Sequence, residues 1–115
     1  MAKFYGHPDF YKYLKDIAQL HSEKNKDYAQ GGDPLGNFRR VSLIEQLYPC
    51  LDWTSDVGVA ISYMLKQLDA ALWLLNQKKE GEVESVDTRL RDVAVYSLII
   101  RILHKENVEY QWKKA

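Results

Sequence analysis

Four acids, Glu23, Asp27, Asp69 and Asp92, are the side chains through which this sequence could do chemistry. Glu23 and Asp27 lie one turn apart on a helical reading, on the face away from Leu14 and Ile17. Carboxylates so placed can share Mg²⁺; equally, both are solvated and simply balanced by Lys24 and Lys26. Asp69 falls inside an apolar stretch between Leu68 and Ala70, one turn from Lys66 and from Trp73. It either pairs with Lys66 at the surface or stands with it at the wall of an interhelical cleft. Asp92 shares a face with Thr88, Tyr96 and Ile99, beside an aromatic ring able to stack on a base; ion pairing with Arg89 or another helix is the plainer account. Asp87 sits in the first turn of the same segment, where the helix dipole is reason enough for it.

The stretch 27–40 is rich in glycine, aromatic and basic groups, more than a linker needs. Asn37 at a helix start, with Arg39 and Arg40 in the first turn, has the makings of a phosphate-receiving end, although arginines also open helices that bind nothing. Tyr28, Trp73 and Tyr96 are the aromatic groups placed to stack on a base. His7, His21 and His104 share no metal-ligand spacing, and His21 continues an apolar stripe, so packing explains it. Cys50 has no nearby histidine and reads as an inert buried thiol. Nucleophilic and zinc chemistry thus have little support.

Helices must position these groups. Phe10, Leu14, Ile17 and His21 recur every three to four residues, predicting a first helix over residues 9 to about 29, capped by Asp9 and ended by Gly31-Gly32-Asp33-Pro34. Phe38, Val41, Ile44 and Leu47 predict a short second helix over 37–48, capped by Asn37 and closed by Pro49, with Trp53 plugging one end of the core. Ser55 and Asp56 open a long third helix to about residue 79, with Ile61, Met64, Leu65, Leu68, Leu72 and Leu75 on its buried face. A polar loop over 78–84 follows. Ser85 caps a last helix reaching about residue 106, with Leu90, Val93, Ala94, Ser97, Ile100 and Leu103 inward. Val95, Leu98, Ile99 and Ile102 widen its apolar girdle, an area that a second subunit would cover. The tail 107–115 gives no periodic signal.

The expectation is a single all-α domain over 1–115: a bundle of three long helices and one short one, completed by dimerisation. Lys plus Arg and Asp plus Glu each count 16, so no net positive charge draws the chain to nucleic acid. No apolar run approaches the roughly 18 residues a membrane span needs. With one cysteine and no leader pattern at the start, the expected compartment is the cytoplasm.

Taken together, residues 23–28, Asn37-Phe38-Arg39, Lys66-Gln67-Leu68-Asp69 and residues 85–96 resemble a small domain of bacteriophage genomes associated with nucleotide modification. That group is similar to the all-α nucleoside triphosphate pyrophosphatases, the MazG and dimeric dUTPase superfamily, over about residues 9–106. The resemblance implies a dimeric or tetrameric helical bundle that cleaves a nucleotide between its α and β phosphates with Mg²⁺. It implies Glu23, Asp27, Asp69 and Asp92 as the metal set, with Asp87 as a substitute, and Lys66, Arg39 and Arg40 on the phosphates. Asn37, Tyr28 and Tyr96 complete the nucleotide contacts. Lys26 and Lys66 stand where that superfamily carries acids, which weakens metal binding or lets Lys66 meet a phosphate directly. Two rivals stay open: nucleotide binding without catalysis, and a phage helical module that engages a partner through its last helix.

Overall fold

The computed structural model describes residues 3–29, 32–81 and 83–114, and the side chains among them except those of 27–29 and 112–114. They form four helices in chain order: α1 (Pro8–Ala29), α2 (Gly36–Gln46), α3 (Asp56–Gln77) and α4 (Val86–Lys114). The expected three long helices and one short one are therefore present. No described helix is long and apolar enough to cross a membrane.

Each helix begins for a local reason. Pro8 opens α1, where its missing N–H costs nothing, and His7 Nδ1 accepts from the Asp9 amide at 3.1 Å. The expected cap Asp9 thus lies inside the first turn. Asp33 shapes the entry to α2, its side chain accepting from the Leu35 amide at 2.9 Å and its carbonyl from Gly36 at 3.0 Å. The cap position is Leu35, without a side-chain bond, so Asn37 is not the cap; it is buried two residues further on, within the first turn. Ser55 caps α3 as expected, accepting from Gly58 at 3.0 Å, and Ser85 caps α4, accepting from Thr88 at 3.0 Å. A Cβ on Gly58 would stand 2.3 Å from the Asp52 carbonyl, so only glycine lets the 52–53 backbone pass this close. The half-buried Trp53 closes that corner by donating to the Tyr48 carbonyl at 3.2 Å.

The core lies between α3 and α4. Ala71, Leu74 and Val86 form its buried cluster, with Ala60 and Ala70 also buried. The helices run antiparallel, since Val86 at the start of α4 meets the end of α3, while Asn107 reaches Asp56 at its start with a 3.0 Å bond. That bond belongs to a helix carried past the expected end at 106 to Lys114, through residues that include neither glycine nor proline. The buried face of α3 is rotated from the expected one. Its small residues let α4 approach closely, whereas Leu72 and Leu75 are more than half exposed. On α4, Val93, Ser97, Ile100 and Leu103 are half-buried, but Leu90 and Ala94 point outward.

The expected inward stripe of α1 is the largest departure: Phe10, Leu14 and Ile17 are 61, 55 and 63% exposed. The outer face of α4 is similarly open at Val95, Leu98, Ile99 and Ile102. A radius of gyration of 18.9 Å, against about 13 Å for a compact domain near this size, expresses the same openness in one length.

Candidate functional site

Helices α2 and α3 cross through a polar knot built on Asp69. Arg40 donates from Nε to Oδ1 at 2.7 Å and from Nη2 to Oδ2 at 2.9 Å, a bidentate pair. Asn37 Nδ2 donates to the same Oδ2 at 2.8 Å and also meets the Lys66 carbonyl at 3.3 Å. The Arg40 guanidinium lies 4.4 Å from the centre of the Trp73 ring, so its planar face is used as well as its edge. The hydrogen bond to Asp69 pushes the Arg40 pKa up, against a desolvation effect that pulls it down. Asp69, buried with 8% of its surface exposed, therefore pairs with Arg40 rather than with Lys66.

This arrangement bears directly on Mg²⁺. Both Asp69 oxygens already accept charge-assisted or amide hydrogen bonds, and a cation approaching them would have to displace Arg40. Among the described residues no three Asp, Glu, His or Cys side chains gather as a metal group. Glu23 is exposed and accepts from Gln19 at 3.2 Å, Asp92 is half-buried on α4, and Asp87 is exposed in that helix's first turn. The side chains of Asp27 and Tyr28 lie outside those described. The residues present thus do not fit a metal at Asp69 in this arrangement.

The other expected contacts are dispersed. Arg39 pairs with Asp33 at the surface, and the backbone amide of Leu35, followed by Arg39 itself, pulls the Asp33 pKa below the usual carboxylate value. Tyr96 is half-buried, its ring 6.1 Å from that of Tyr63 across the α3–α4 interface. Trp73 has one face taken by Arg40.

A cavity of about 160 Å³ opens where α1, α2 and α3 meet. Pro34, Leu35 and Phe38 supply its apolar wall, and the Phe38 ring is two-thirds exposed. Lys24 and Lys66 bring positive charge, while His21, Asn25 and Asn37 add polar edges. The described lining contains no acid. Across Phe38 and Lys66 an adjoining groove of about 360 Å³ continues past Val41 and Tyr63 to Glu45, which accepts from Ser62 at 2.6 Å.

Three sequence expectations are corrected here. His21 is not packed but exposed on the cavity edge, with Asn25 Nδ2 3.1 Å from its Nδ1 and 2.9 Å from its carbonyl oxygen. Cys50 is exposed rather than buried. Arg89, expected only as a partner for Asp92, is 2% exposed, donates to Gln67 at 3.1 Å and stands 3.6 Å from Glu84. Its helical register with Val86 and Val93 was the available signal for that burial. Lys24 and Phe38 gave no chemical signal as a pair, because they are close only once α2 folds back on α1.

Comparison of the chain with protein-family models, curated proteins and solved structures finds no match.

Proposed function

We propose that the chain is a MazG-like nucleotide-binding protein whose ligand occupies the cavity between α1, α2 and α3. The observation that carries this reading is the joint presence of Lys24, Lys66 and the exposed Phe38 ring around one cavity. Nucleotides combine an anionic group with a flat ring, and stacking together with charge-assisted hydrogen bonds recognises both. The resemblance of residues 23–28 and 66–69 to the all-α pyrophosphatases points the same way.

Within that reading, binding without turnover is favoured over Mg²⁺-dependent pyrophosphohydrolysis. Hydrolysis calls for Glu23, Asp27, Asp69 and Asp92 to share a cation, and Arg40 already holds Asp69. Calorimetry of the full chain with ribo- and deoxynucleotides and Mg²⁺, run beside a pyrophosphate-release assay, tests both. Heat without release supports the binding protein; release selects the hydrolase; absence of both removes the nucleotide reading.

The exposed apolar faces of α1 and α4 favour a second copy of the chain as their cover, and a helical interaction module as the rival function. Sedimentation at micromolar concentration decides, with dimer expected for the native chain and monomer for Ile99→Glu and Ile102→Glu. If those variants lose function while nucleotide titrations show no heat, the interaction module is selected. The reading places the protein in the cytoplasm, that of the host if a phage encodes it.

A further inference from the structure

Resting on the reading of a second copy as the cover of α4, we propose that α4 pairs with α4 of that copy in an antiparallel seam, about a twofold axis at the level of Ile100. Three observations carry this arrangement. The first is a stripe, Arg91, Val95, Leu98, Ile102, Lys105 and Glu109, which advances by steps of four and three residues, the spacing that keeps one helix face against a partner helix. All of its members are exposed, with Val95, Leu98 and Ile102 at 48, 56 and 57%. The stripe lies opposite the side of α4 that packs on α3, where Ser97 donates to Met64 Sδ at 3.3 Å. It is therefore the face that α3 leaves uncovered.

The second observation is shape. Leu98, Arg101, Ile102 and Lys105 line one open groove at positions i, i+3, i+4 and i+7, the four corners between which a single side chain of a facing helix inserts. An axis at Ile100 seats the partner's Leu98 there. The third is charge. Arg91 and Glu109 stand equally far on either side of Ile100, as do Leu98 and Ile102, so the twofold brings Arg91 against the partner's Glu109 and leucine against isoleucine between them. Lys105, whose Nζ is 4.0 Å from Glu109 in its own chain, lies across from the partner's Val95 and covers it with its aliphatic stem. A parallel pair would set each arginine against its own copy and each glutamate likewise. The charges thus select the antiparallel arrangement, and with it a second copy of this chain as the occupant.

The test is sedimentation equilibrium of the full chain beside two charge reversals, Arg91→Glu and Glu109→Arg, each alone and then mixed in equal amounts at low salt. The native chain is expected to dimerise, and each variant alone to do so about tenfold or more weaker, because both seam contacts then join like charges. The mixture is expected to recover a dimer about as tight as the native one, since a heterodimer of the two variants again joins opposite charges at both contacts. Recovery also shows that both variants fold. Variants that dimerise as tightly as the native chain overturn this seam and leave the second copy on another face. Weakened variants that fail to recover on mixing overturn the pairing of Arg91 with Glu109. A native chain that stays monomeric at high micromolar concentration removes the second-copy reading and this inference together.

Discussion

Helix α1 and the α3–α4 pair are both long, and they are held by different means. Between α3 and α4 lie Ala71, Leu74, Val86 and Arg89, each at most 8% exposed. Along the described part of α1 no side chain is buried, and Phe10 and Ile17 are more than 60% exposed. Most helical stability in proteins comes from packing of an apolar face, and α1 has little of it. Within its own chain α1 rests on α2 and α3 without burying a described side chain, and the cavity it walls with Lys24 shares that lightly packed setting.

That contrast can be broken most forcefully at Leu74. Leu74→Ala should cost about 2–5 kcal/mol in denaturant unfolding, because the cavity left between α3 and α4 has little freedom to collapse. Asp69→Asn should cost about 1.5–3 kcal/mol and loosen α2 from α3, since Arg40 loses its bidentate acceptor. Fluorescence of Trp73, which lies under that guanidinium, reports the loosening. Ile17→Ala should change stability by no more than about 0.5 kcal/mol in dilute solution. Its effect should grow as protein concentration rises, if a second copy covers α1; a flat concentration dependence would assign the holding of α1 to its own chain after all.

The smallest effect concerns pH. Hydrogen bonds from Thr54, the hydroxyl first and then the amide, pull the Asp52 pKa below its ordinary 3.8. A depressed carboxylate stabilises the fold above the unfolded value, and that contribution fades as pH falls through the folded one. The corner before α3 should thus loosen only below pH 3.8, and Asp52→Asn should flatten this part of the acid unfolding curve.

Much of the architecture was legible because it is local. Ser55 and Ser85 announce their helices by chemistry that acts within one turn, and the loop between α3 and α4 follows from its polarity and glycine. Periodicity was less sufficient. It marks which residues share a face, yet α1 carries a clear stripe that its own chain leaves open, and α3 buries Ala70, Ala71 and Leu74 where the expected face carries Leu72 and Leu75. The site was harder still. Asp69 stood out as an acid in an apolar helix, but its partner lies twenty-nine residues away on α2, a distance at which spacing carries no information. His21 continues an apolar stripe, a pattern that predicts packing, and it instead edges a cavity.

The sequence by itself determined that this chain is helical, where its helices begin, and that an acid within α3 required a partner, since capping, propensity and the cost of burying a charge all act over a few residues. Only the tertiary structure decided that Arg40 would be that partner, that Arg89 would be enclosed, and that Lys24, Phe38 and Lys66 would surround one cavity. Those outcomes depend on how α1, α2 and α3 cross, and crossing is set by which side chains interlock between helices, a property of pairs of faces that no single face contains.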